Sequence, residues 1–84
     1  MEVRLGREAQ KQLDRLNEPL AGRIVAAIER LGLDPPEGDI KPLKGQHGIS
    51  RLRVGDFRML FCEREDHRYV FRIAPRGEVY RRKK

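Results

Sequence analysis

Cysteine occurs once in this chain, at Cys62, histidine twice, at His47 and His67, and tryptophan not at all. A lone cysteine closes no intramolecular disulfide, and these three residues give no zinc-ligand spacing. Neither a cross-link nor a structural metal is expected, and nothing calls for a cofactor. No apolar run approaches the roughly 20 residues of a spanning helix. The opening Met1-Glu2-Val3-Arg4-Leu5 lacks the apolar stretch of a secretory signal. The expected setting is therefore the cytoplasm, with no membrane partner. Eighty-four residues leave room for a single domain, residues 1–84, with one core.

Charge is what the chain has in plenty. Hydrophobic and charged residues each make up 38%, and the formal net charge is +6. The first half, residues 1–42, holds seven basic and eight acidic residues; residues 43–84 hold twelve and five. All five aromatic residues (Phe57, Phe61, Tyr69, Phe71, Tyr80) also fall in the second half, interleaved with nine arginines. Arginine outnumbers lysine fourteen to five. Guanidinium groups grip phosphate oxygens in pairs and stack on bases, so this bias fits a nucleic-acid partner better than a merely solvated surface.

The hydrophobic pattern divides the chain. Val3 and Leu5 alternate with charges in a short strand ended by Gly6. Ala9, Leu13 and Leu16 recur at helical spacing, and Asn17-Glu18-Pro19 interrupts that helix and starts a second. Its face is Leu20, Ile24, Ala27, Ile28 and Leu31, with Gly32 as terminator. The two helices read as an antiparallel hairpin. Residues 32–48, rich in Gly, Pro and charge, read as a long surface loop. The period then becomes two, and residues 49–54, 57–64 and 68–74 read as three strands joined by short turns. The predicted fold is α+β, β-α-α-β-β-β, a small antiparallel-meander sheet with the helix pair packed on one face.

On a strand, residues two apart share a face, which groups Arg51 with Arg53 and Arg72 with Arg76 across Ala74. Arg58, between Phe57 and Met59, has to be solvent-facing or paired. If the helices cover one face, these arginines converge on the other, either as a phosphate-and-base platform or as edge charges that deter aggregation. Cys62 lies in an apolar run and reads as inert; His47, His67 and Asp56 read as turn residues. Tyr80 either stacks on a base or anchors the last residues. No triad or acidic metal cluster is evident. Metal-free RNA cleavage needs neither, because RNA brings its own nucleophile in the 2′-OH. Arginine is a poor base, so proton abstraction would fall to Lys44, Tyr80, a carboxylate or a histidine.

Three segments carry a resemblance: Leu43-Lys44-Gly45, then Arg51-Leu52-Arg53-Val54-Gly55-Asp56-Phe57-Arg58, then Arg76-Gly77-Glu78-Val79-Tyr80. Together with the order of elements they resemble the RelE/ParE superfamily of toxins. The resemblance implies a toxin neutralised by a cognate antitoxin protein. In the RelE branch it implies a ribosome-dependent endoribonuclease that cuts mRNA in the A site; in the ParE branch, a DNA gyrase inhibitor. Matched by motif, Arg58 is the phosphate-stabilising arginine, Arg76 the second arginine, and Tyr80 the tyrosine that stacks on or orients the substrate. Arg51 stands at a position for proton transfer or charge stabilisation, and Lys44 at a basic loop position. Arg53, Arg72 and Arg81 are expected to add RNA contacts. Pro75-Arg76-Gly77 stands where many relatives have His-Arg-Arg, and Arg51 where some have lysine. Retention of Tyr80 favours the RelE branch. A basic RNA-binding module without toxicity is the third reading.

Overall fold

In the computed structural model, which describes residues 1–78, the helical and strand periods each produce the element they call for. Strand β1 (Glu2–Leu5) leads into helix α1 (Arg7–Asp14), whose Ala9 is fully buried. The break after α1 carries Pro19 at the N-cap of helix α2 (Leu20–Leu31). There the Glu18 side chain accepts the Gly22 N–H at 3.0 Å, satisfying one of the donors that a helix start leaves open. Ile24, Ala27 and Leu31 form the buried stripe of α2, and Gly32 is its C-cap in ordinary right-handed geometry.

Four strands follow: β2 (Asp39–Pro42), β3 (Ile49–Val54), β4 (Phe57–Glu63) and β5 (His67–Pro75). The sheet order is β1-β5-β4-β3-β2; β1 runs parallel to β5 and every other pair is antiparallel. Strand β2 corrects the reading of residues 32–48 as loop throughout. It holds only one core-facing apolar residue, Ile40, opposite Leu52, and ends in Pro42, so no alternation betrays it. A proline is tolerated there because β2 is an edge strand. The β3–β4 turn rests on Gly55 at φ +58°, a conformation that side chains with a Cβ rarely adopt.

Both helices pack on one sheet face. Leu52, Met59, Phe61, Val70 and Ile73 meet Ala9, Ile24, Ala27 and Leu31 in the main core. A smaller cluster on the other face comprises Leu60 and Ala74, bordered by Leu43, Ile49 and Phe71. Between β4 and β5 the register slips. Phe61 opposes Val70 and Leu60 opposes Arg72, so Phe71 is an extra residue without a cross-strand partner. Such a bulge lets neighbours break strict alternation.

Arg68 shows why not every arginine of the second half belongs to one surface. It lies on the helix side, 4% exposed, and donates to the carbonyls of Leu31 and Leu33 at 3.0 Å each. Its remaining donors reach Asp34 at 2.9 Å and Glu63 at 3.1 Å. A cation at a helix C-terminus meets both the dipole and the unpaired carbonyls. The Met1 ammonium joins the same group, donating to Gly32 O and to Asp34.

Candidate nucleic-acid interface

The register builds the site. Across β3, β4 and β5, Leu52, Met59 and Ile73 form a row in the helix-side core, so the adjacent rows face the other way. One of these is Arg51, Leu60, Arg72; the next is Arg53, Arg58, Ala74. Four guanidinium-bearing residues thus surround an apolar floor of Leu60 and Ala74 on the face that the helices leave open.

Each of the four donates to a backbone carbonyl. Arg51 reaches Asp39 O at 3.1 Å, Arg53 and Arg58 reach Gly55 O at 3.3 and 3.1 Å, and Arg58 also reaches Phe57 O at 3.1 Å. Arg72 reaches Glu78 O at 2.9 Å. Arg51 alone has a carboxylate as well, Asp39 at 3.5 Å; ion pairs among the described residues include neither Arg53, Arg58 nor Arg72. A carbonyl fixes a guanidinium without cancelling its charge. The face therefore keeps a positive field over a partly desolvated surface, where an anion is held more strongly than in water.

The expectation that Arg58 is either solvent-facing or paired fails in both parts. It is 7% exposed and satisfied by two carbonyls, because the β3–β4 turn folds its peptide oxygens back over the strand. Arg76 is exposed beyond β5, and its backbone N–H donates to Asp56 O at 2.7 Å. That bond ties the segment after β5 to the same turn that holds Arg53 and Arg58. Lys44 is not brought to this end. It sits exposed between β2 and β3, and Arg53 lies four residues beyond Ile49, about 13 Å along β3 at roughly 3.3 Å per residue. Tyr80 and Arg81 lie outside the described residues; Glu78, held by Arg72, is the last described position before them.

Other residues fall partly as expected. His47 and Asp56 are exposed turn residues. His67 is instead the half-buried first residue of β5, its Nδ1 2.8 Å from Asp66 Oδ1. Cys62 is half-buried rather than core, beside a cleft of ≈ 710 Å³ at the Lys44 end of the sheet. The lining of that cleft includes Leu43, His47, Ile49, Phe61 and Glu63 but no arginine, so it is separate from the guanidinium cluster. Among the described residues no group of three or more His, Cys, Asp or Glu could hold a metal ion. No described helix is long and apolar enough to cross a membrane. What sequence reasoning missed is Arg72's hold on Glu78 O, for which strand alternation carries no signal.

Chemically, this surface can grip a phosphate and stabilise charge that develops on it. Its arginines, protonated at any ordinary pH, cannot abstract a proton.

Comparison with known proteins places this geometry in context. The family model described as ParE toxin of type II toxin-antitoxin system, parDE, matches residues 3–80. Among solved structures, the chain is similar to one in the RelB-RelE antitoxin-toxin complex from Methanococcus jannaschii. The two are 25% identical, with a TM-score of 0.74 over 90% of this chain and 93% of that one. A chain of the archaeal RelE-RelB complex from Pyrococcus horikoshii OT3 is 22% identical, TM-score 0.74, over 90% and 94%. One from the toxin-antitoxin complex RelBE2 of Mycobacterium tuberculosis is 22% identical, TM-score 0.73, over 89% and 96%. These last two speak to the fold. No curated protein matches the sequence.

Proposed function

The chain belongs to the ParE toxin family of type II toxin-antitoxin systems, within the RelE/ParE superfamily, and from that premise we propose that it is an mRNA-cleaving toxin of the RelE kind. The cluster of Arg51, Arg53, Arg58 and Arg72 carries this reading, because carbonyls orient its guanidinium groups and only Arg51 has a carboxylate beside it. The similarity to a chain of the Methanococcus jannaschii RelB-RelE complex supports the same branch.

In this reaction the 2′-hydroxyl gives up its proton to a base other than the arginines as its oxygen attacks the adjacent phosphorus in line, the 5′-oxygen leaves and takes up a proton, and a 2′,3′-cyclic phosphate remains. Arg58 and Arg76 stabilise the charge that builds on the phosphoryl oxygens, Arg51 assists, and Tyr80 orients the substrate. Lys44, Arg53, Arg72 and Arg81 contact the RNA strand. The ribosome presents the message in its A site, and a cognate antitoxin protein neutralises the toxin by covering the basic face. The chemistry is phosphoryl transfer without a metal or cofactor.

Purified protein added to ribosomes programmed with a defined message tests the proposal, with RNA ends mapped afterwards. Ribosome-dependent cuts in the A-site codon are expected. The family model itself, named for ParE, favours a second reading, inhibition of DNA gyrase. Intact message together with blocked supercoiling in a parallel gyrase assay would replace the first reading by the second.

A further inference from the structure

Beyond the arginine cluster, the open face of β5 carries a row of rings that the chemistry above does not use. His67, Tyr69 and Phe71 follow one another, with ring centroids 6.3 and 6.4 Å apart. His67 stands edge-on to Tyr69 at 89°, whereas Tyr69 and Phe71 lie within 26° of parallel and form a shallow platform. Ordinary alternation along β5 gives the three rings one face, and the bulge at Phe71 adds Arg72 to it. Strict alternation would send one residue of Tyr69, Phe71 and Arg72 to the helix side, but the slipped register keeps all three on the open face.

The surroundings are shaped to the platform. Gly6 passes beside Tyr69 so closely that a Cβ there would collide with the phenol oxygen and lie 2.9 Å from Cζ. The Arg64 guanidinium lies over the Tyr69 ring, 5.3 Å from its centroid, and Arg4 is the register partner of Tyr69 on β1. The carboxylates nearby are engaged at the His67 end, Glu2 by Arg4 and Asp66 by His67. The acidic groups thus lie at the His67 end of the row, and Arg72 lies beyond its other end. Tyr69 belongs to neither apolar cluster and Phe71 only borders the smaller one, so both rings lie at the margin of the packed interior and stay partly open to solvent.

We infer that Tyr69 and Phe71, with Arg64, form a base-stacking subsite for unpaired RNA whose phosphates continue from the arginine cluster along β5. Arg72 lies three residues beyond Tyr69 on β5, about 10 Å at roughly 3.3 Å per residue, which a nucleotide or two can span. Rings on an open sheet face, beside arginines that track the backbone, are a general solution for single strands, and they accept any base. The subsite rests on the RNA-cleaving reading for its substrate but not on the cleavage step.

The probe is a short single-stranded RNA, 2′-O-methylated throughout so that it cannot be cut, with 2-aminopurine placed at each position in turn. Titrated with the whole protein, its emission should fall at one or two adjacent positions as the fluorescent base stacks. Phe71→Leu and Arg64→Ala should each lose that fall and weaken binding about five- to tenfold, within the range for one stacking contact. Arg64 is an exposed turn residue, so its variant separates ring stacking from any loss of folding that circular dichroism detects in Phe71→Leu. Binding with the emission change intact in both variants overturns the subsite alone. No binding of any oligonucleotide by the unaltered protein overturns the subsite while leaving the ribosome-dependent reading to the A-site end mapping. Protection of Tyr69 by an antitoxin peptide but not by RNA also overturns it. Ring-dependent binding without A-site cutting would instead keep the subsite and remove the cleavage reading.

Discussion

Arg53 and Arg58 stand directly opposite each other on β3 and β4, and both donate to the same oxygen, the carbonyl of Gly55. Like charges at opposed positions ordinarily destabilise a strand pair by a fraction of a kcal/mol. Here one turn carbonyl, presented because Gly55 takes φ +58°, holds both guanidinium groups in place. The repulsion is kept rather than relieved, and an anion arriving between them is what would relieve it.

Arg58→Ala should lower the rate of A-site cleavage about 10²- to 10³-fold, the scale for losing one preorganised charge stabiliser. Single-turnover RNA end mapping measures it. A rate within twofold of the unaltered protein would remove Arg58 from the chemistry.

Removing one of the two opposed charges should strengthen the fold. Arg53→Thr is expected to raise unfolding stability by about 0.5 kcal/mol in urea melts. In the unaltered protein, sulfate should raise the melting temperature more than chloride at equal ionic strength, and Arg53→Thr should shrink that difference. Equal responses to both salts would mean that the face does not collect anions.

Arg68→Met should destabilise the protein by about 2–4 kcal/mol, since the carbonyls of Leu31 and Leu33 lose their donor in a buried place. Arg68 lies on the side opposite the arginine cluster. Cleavage per folded molecule should therefore hold steady, measured at a temperature where the variant is still folded.

Acid should weaken the fold through Asp34. The Met1 ammonium, and after it Arg68, hold the Asp34 carboxyl below its ordinary value. Arg4 does the same for Glu2, and His67 for Asp66. A carboxyl whose pKa is lower in the folded state contributes stability that is present above its unfolded value, near 4, and lost as pH falls through the folded value. Stability should thus be flat around neutrality and decline below about pH 4. Asp34→Asn should flatten part of that decline in urea melts at pH 7 and pH 3.

Much of the fold could be read from spacing alone. Ile24, Ala27 and Leu31 recur at helical intervals, and the strands β3, β4 and β5 alternate or run apolar as buried strands do. Strand β2 escaped because a single inward residue, Ile40, makes no pattern. The site was legible as far as Arg51 sharing a face with Arg53, and Arg72 with Ala74, which follows from parity along each strand. Which carbonyls the side chains choose does not follow, since long side chains reach across turns that parity does not describe. Arg68 resembled its neighbours in composition but is buried at the end of α2, a partnership set by residues more than thirty positions away. Phe71 was hidden for the opposite reason, because a bulge breaks the parity on which the reading rests.

The position of β5 between β1 and β4 has a consequence for birth on the ribosome. Strand β1 is made first, yet among the described residues its one neighbour in the sheet is β5, the last of the described strands to be made. Until β5 has cleared the exit tunnel, the chain has a bare edge on β4 and an unpaired β1, and neither Arg72 nor the rings beside it exist as a surface. Such long-range closure is slow compared with local structure and waits for nearly the whole described chain. The arginine face of this toxin thus comes into being only when β5 joins β4, and a partner that recognises that face has nothing to bind before then.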